Sequence, residues 1–161
     1  MNSPGKRNST FVSGSLHTKL LQAAMQEPGY PAGSNVLSAA LLRAAMIGEL
    51  SVVKVLLDRG VDVNSPDQQG RTALMEAAFG NHCDVVNLLI DRGADINATD
   101  RDGWTALMEA SSKGFYDIVK VLMSKGADPK SKNKNGWTAL KSVASGHFKL
   151  ARLLRDAGAT E

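Results

Sequence analysis

Glu76 and Glu109 come nearest to a reactive pair in this chain, because each follows the same phrase, Thr-Ala-Leu-Met, 33 positions apart. Carboxylates on adjacent, equivalent elements could divide the work of a general acid and a general base. Both also fall in the first turn of an expected helix, where the macrodipole favours an acid, and that structural role is the preferred reading. A function beyond it would be to attract a basic group of a partner. His82 and His147 lie at or beside the start of expected helices and are read as scaffold rather than as proton carriers or metal ligands. Cys83 has no evident partner base and is read as a partly buried packing residue, not a catalytic thiol. The sequence contains no Gly-x-Ser-x-Gly elbow, Walker-type phosphate loop, dinucleotide-binding glycine motif or His-Glu-x-x-His. No catalytic residue, metal or cofactor is expected, and the protein is not expected to be an enzyme.

Charge narrows the choice of partners. The formal net charge of +3 is the balance of 19 basic and 16 acidic residues mixed along the chain, which is mainly a statement about solubility. The densest basic cluster, Lys130, Lys132 and Lys134, reads as a solvated turn. With Lys113 and the two tryptophans it supports an alternative, a basic surface for nucleic acid or another anionic ligand. Asp100, Asp102 and Asp128 stand among those lysines and weaken it. A single cysteine excludes an intrachain disulfide and fits a reducing compartment. No apolar run approaches membrane-spanning length, and Lys6 and Arg7 precede a polar stretch. A soluble, cytoplasmic chain with no membrane partner is therefore expected.

The elements that must position these residues are set by a repeat. Hydrophobic residues make up 43% of the chain but aromatics only 5%, a balance that suits closely packed small helices better than a β-sandwich. "GWTAL" occurs at Gly103 and again at Gly136, and "GRTAL" stands the same distance earlier at Gly70. Extended outward, the segment from Asp67 aligns without a gap to that from Asp100, and the one from Asn133 aligns once a single residue is dropped before Gly146. The stretch from Leu41 fits the same frame with its turn and Thr positions lost. A period of this size predicts a solenoid of units that bury their apolar faces on one another.

Each unit reads as turn, helix, loop, helix. Gly70, Gly103 and Gly136 suit a tight turn with positive φ, and Thr72, Thr105 and Thr138 can cap a short inner helix that begins at Ala73, Ala106 and Ala139. Gly80 and Asn81, Gly114 or Gly146 end it. The outer helix buries Val85, Val86, Leu88 and Leu89, or Ile118, Val119, Val121 and Leu122, and is closed by Gly93 or Gly126.

Thr-Ala-Leu opening the inner helix, Val-Val-x-Leu-Leu in the outer one and Gly-Ala-Asp after it resemble the ankyrin repeat over roughly four-fifths of the chain. The resemblance implies an all-α solenoid of stacked helix-turn-helix units joined by β-turn fingers. Expected are a flexible tail over residues 1–14, an N-terminal capping helix and loop over 15–33 with the helix at Ser15 to Glu27, and repeats near 34–66, 67–99, 100–132 and 133–161. Met75 and Met108 stand where the family commonly has a His that bonds the cap Thr. Arg155, Lys141 and Ser142 replace stacking residues of the middle units, as a C-terminal cap requires.

The resemblance also implies a non-catalytic module that binds a protein partner through its concave face and turn tips, as an adaptor or as an inhibitor masking the partner, and that is a monomer when unbound. Its variable positions fall on Gln68, Gln69, Arg71 and Phe79, on Arg101, Asp102, Trp104, Ser112 and Lys113, and on Lys134, Asn135, Trp137 and Ser145, with Met46 and Ile47 in the first unit. Arg71, Trp104 and Trp137 share one slot that the fold does not dictate, and stacking would set them in a row on the order of 10 Å apart along the turn tips.

Overall fold

A computed structural model describes residues 35–159. The expected tail and the N-terminal capping helix and loop, residues 1–33, lie outside the described residues. Eight helices follow one another among them: α1 Asn35–Ile47, α2 Leu50–Asp58, α3 Ala73–Phe79, α4 Cys83–Asp91, α5 Ala106–Lys113, α6 Tyr116–Ser124, α7 Ala139–Ser142 and α8 Phe148–Asp156. The inner helices α1, α3, α5 and α7 stack in sequence order, and each also packs on its own outer partner, α2, α4, α6 or α8. The fold is the all-helical solenoid that the repeat implied.

The capping chemistry is local and recurs. Thr72, Thr105 and Thr138 sit in extended backbone, and their hydroxyls accept from the N–H of Met75, Met108 and Lys141 at 3.5, 3.2 and 3.2 Å. Each thus satisfies one of the N–H groups a helix start leaves unpaired. Methionine takes the place of the family's His by burial rather than bonding, since Met75 and Met108 are both 1% exposed. Ala44, Ala45, Ala77, Ala78 and Ala110 are fully buried, and the absence of bulk beyond Cβ lets inner helices approach closely. Leu56, Leu89, Leu122 and Leu154 occupy one repeating position on the outer helices, fully buried in all four units. Each such side chain contributes about 1.5–3 kcal/mol by leaving water.

Three departures from a regular repeat matter later. In the first unit α1 runs straight through the place of the turn, because buried Leu37 stands where later units have the positive-φ glycine. In the second, Gly80 keeps a right-handed φ of −80° and Asn81 takes the left-handed one at 63°. In the fourth, α7 has only four residues and Val143 leaves the helix in extended backbone. The missing residue before Gly146 removes the last turn of that inner helix.

Ser111 stands where Ala45 and Ala78 stand in the earlier units, is fully buried, and its hydroxyl finds no partner among the described residues. A buried hydroxyl without a hydrogen bond costs its desolvation, so Ser111→Ala is expected to raise stability by about 1 kcal/mol. A urea-unfolding midpoint that moved down instead would show the hydroxyl bonded in solution.

Candidate interaction surface

The turn tips form a hydrogen-bonded ladder. Asp67, Asp100 and Asn133 each turn a side-chain oxygen back onto two N–H groups of their own tip: Gln69 and Arg71 at 2.7 and 2.9 Å, Asp102 and Trp104 at 2.9 Å each, Asn135 and Trp137 at 2.9 Å each. Between units, the Arg101 N–H donates to Gln69 O at 2.8 Å and the Lys134 N–H to Asp102 O at 2.9 Å. The tips are therefore rigid and in register, although the described residues form no β-strand. Sequence reasoning missed this role of Asp67, Asp100 and Asn133; the signal was the short polar side chain three residues before each turn glycine.

On that ladder the three residues of the shared slot behave differently. The Arg71 guanidinium turns in between two inner helices. Its Nε donates to Glu76 Oε1 at 2.5 Å and its Nη1 to Glu109 Oε1 at 2.6 Å, with Asp100 Oδ2 at 3.8 Å. Trp104 is half-buried and packs on the hydrophobic core, whereas Trp137 remains 42% exposed. The expected row of three equivalent tip residues is thus one ion pair, one packed ring and one exposed ring.

The two glutamates do meet, but with Arg71 between them. Both are more than nine-tenths buried, and the one guanidinium bonds an oxygen of each, so neither carboxylate stands free. Burial by itself lowers the Arg71 pKa, but the hydrogen bonds and charges of Glu76 and Glu109 outweigh it and hold the pKa above the ordinary value. Because the raised pKa lies beyond any working pH, the arginine's contribution to stability is present throughout and lost only above that range.

Phe79 closes α3 and is 39% exposed, with Lys113 Nζ 4.3 Å and Arg71 Cζ 6.0 Å from its ring centroid. Lys113 therefore takes part in an aromatic contact with the end of the preceding inner helix. Arg101, Asp102, Lys134 and Asn135 are exposed, as are Gln68, Gln69, Ser145 and Ile47, while Met46 and Ser112 are half-buried. Among the lysines of the alternative reading, Lys130 follows Asp128, whose carboxyl is held below its usual range first by the Lys130 backbone N–H and then by the Ser131 hydroxyl.

The histidines and the cysteine are placed by packing. His82 Nε2 lies 3.0 Å from Met46 O of the preceding unit, and its ring fills the space over Gly48 and Gly80. The His147 ring lies over Gly114 in the same way. Half-buried Cys83 accepts a weak contact from Asn87 Nδ2 at 3.7 Å. Its equivalents do not share its burial: Leu50 and Tyr116 are exposed, and Phe148 is 82% exposed. A partly buried packing position therefore describes Cys83 alone. Among the described residues no group of His, Cys, Asp and Glu could hold a metal ion, and no helix is long and apolar enough to cross a membrane.

Stacked helical units that present a continuous face of tips and inner-helix ends define a repeat solenoid of the kind used for recognition. Comparison with protein-family models matches ankyrin repeats (3 copies) over residues 14–100 and 98–160, and the chain belongs to the ankyrin-repeat family. No curated protein matches it. Ankyrin repeats generally mediate protein–protein interaction and are typically not catalytic.

Proposed function

We propose that this protein is a non-catalytic module that binds a protein partner through its concave face and turn tips, as an adaptor or as an inhibitor covering the partner's working surface. The observation that carries the reading is the pairing of exposed aromatics with a rigid backbone: Phe79 and Trp137 reach solvent from positions tied down by helix packing and by the tip ladder. Preorganised aromatic anchors lose little entropy on binding, and hot spots are rich in tryptophan and arginine. Arg101, Asp102, Lys113 and Lys134 surround them with charge of both signs, which favours a polar, selective rim over a uniformly basic field. Trp104 contributes by holding the third tip against the core, and Arg71 by fixing the two glutamates.

Affinity capture from the native source, with the wild type and with a Phe79→Ala, Trp137→Ala variant shown by circular dichroism to be folded, tests the proposal. A protein partner retained by the wild type and weakened by at least about thirtyfold in the variant is expected, the size of a 2 kcal/mol hot-spot truncation. Equal retention by both would remove the concave face, and a nucleic acid retained in a strongly salt-dependent way would replace the protein partner with an anionic one.

A further inference from the structure

The fourth unit carries a second apolar surface, centred on Phe148 rather than on Phe79 and Trp137. α7 stops after Ser142, so Val143 to Gly146 cross to α8 without the helical turn that the other units place there. Phe148, the first residue of α8, is left standing at 82% exposure, the highest of any large hydrophobic among the described residues. A groove lies on each side of its ring. One, of about 390 Å³, runs between α7 and α8 over Leu140, Val143 and Ala151. The other, of about 480 Å³, runs toward the third unit over Tyr116 and Leu150. A single ring flanked by two apolar troughs is the shape of an anchor awaiting a counterpart.

The charge around that ring has one sign. Lys141 lines the first groove and Lys149 the second, and no acidic residue lines either. Neither lysine has a carboxylate within ion-pair distance among the described residues, and on α8 itself the one acid, Asp156, lies 3.8 Å from Arg152. An occupant that was only apolar would cover these ammonium groups without replacing their water, which is costly. An occupant with carboxylates interspersed among its apolar side chains would neutralise them as it buried Phe148, and would be steered in by the field.

We propose that the Phe148 surface, with Tyr116, Lys141 and Lys149, is a docking site for an acidic, apolar peptide segment of a partner protein. It can be occupied while the concave face holds something else, so that the protein joins two partners.

Display of random peptides on the full-length protein, with counter-selection on a Phe148→Ser, Lys149→Glu variant, tests this directly. Both substituted side chains are exposed, so the variant is expected to keep the wild-type circular dichroism spectrum. Clones that need Phe148 should be rich in Asp and Glu alternating with aliphatic or aromatic residues. Synthesised and measured by fluorescence anisotropy, they should bind the variant at least about thirtyfold more weakly, bind a Phe79→Ala, Trp137→Ala variant as they bind the wild type, and weaken when their Asp and Glu become Asn and Gln. The proposal is overturned if no selected clone depends on Phe148, or if the dependent clones carry no acidic residues. It is overturned equally if the protein sediments as a dimer that Phe148→Ser dissolves, for then the occupant is a second copy.

Discussion

Arg71→Ala is expected to lower the unfolding free energy by about 3 kcal/mol, read as a large drop in the urea midpoint with an unchanged slope. Among the described residues the arginine is the only cation bonded to Glu76 and Glu109, which come from adjacent inner helices and are each more than nine-tenths buried. Without it two like charges face each other with little water to screen them. The cost is placed at the low end for a buried pair because the Arg71 side chain keeps 21% exposure. Two further variants separate this cause from lost packing. Glu76→Gln with Glu109→Gln, in the Arg71→Ala background, should recover more than half of the loss, since amides tolerate the site that bare carboxylates do not. Arg71→Lys should recover less than that, because an ammonium on a flexible stem cannot span both acids as the planar guanidinium does. An Arg71→Ala protein as stable as the wild type would show the three charges to be solvated in solution, and would return Arg71 to the turn-tip row.

Gly103→Ala and Gly136→Ala are expected to differ, although the residues are equivalent in the repeat. Both glycines have positive φ, 81° and 73°, so either alanine carries about 1–2 kcal/mol of left-handed strain. A Cβ on Gly136 would meet nothing within 4 Å. One on Gly103 would stand 2.9 Å from Asn133 Cα and 3.2 Å from the Lys134 nitrogen, atoms of the next tip's backbone that cannot rotate away. The tips must then part, and the bond from the Lys134 N–H to Asp102 O goes with them. Gly103→Ala should therefore cost about 2–4 kcal/mol in all. Because stability in a solenoid is a sum of nearest-neighbour terms, the damage should fall on the junction between the third and fourth units. Hydrogen exchange would register it as lost protection in α7 and α8 with α3 and α4 unchanged. Equal costs for the two variants would mean that the tips do not touch.

The backbone of the repeat is legible in the order of amino acids alone. The positive-φ glycines and the capping threonines answer a demand made within a few residues, while the alanines between inner helices and the leucines of the outer ones answer one that every stacked unit repeats, so the same residue types recur wherever the demand does. Period and local chemistry were enough to place the fold and the inner-helix starts at Ala73, Ala106 and Ala139.

The roles of the variable side chains were set by contacts across units. Arg71, Trp104 and Trp137 share a slot, but a slot's meaning depends on what the next unit offers across the gap. The unit after Arg71 offers Glu109, 38 residues away, and an ion pair forms; the unit after Trp104 offers Ser142, and the ring folds onto the core. In the same way a single missing residue before Gly146 was visible in the alignment, while its result was not: a shortened α7, two grooves and an exposed Phe148. Pairings across units join groups far apart in the chain, and no period or propensity encodes them, because they depend on distances that exist only once the units have stacked.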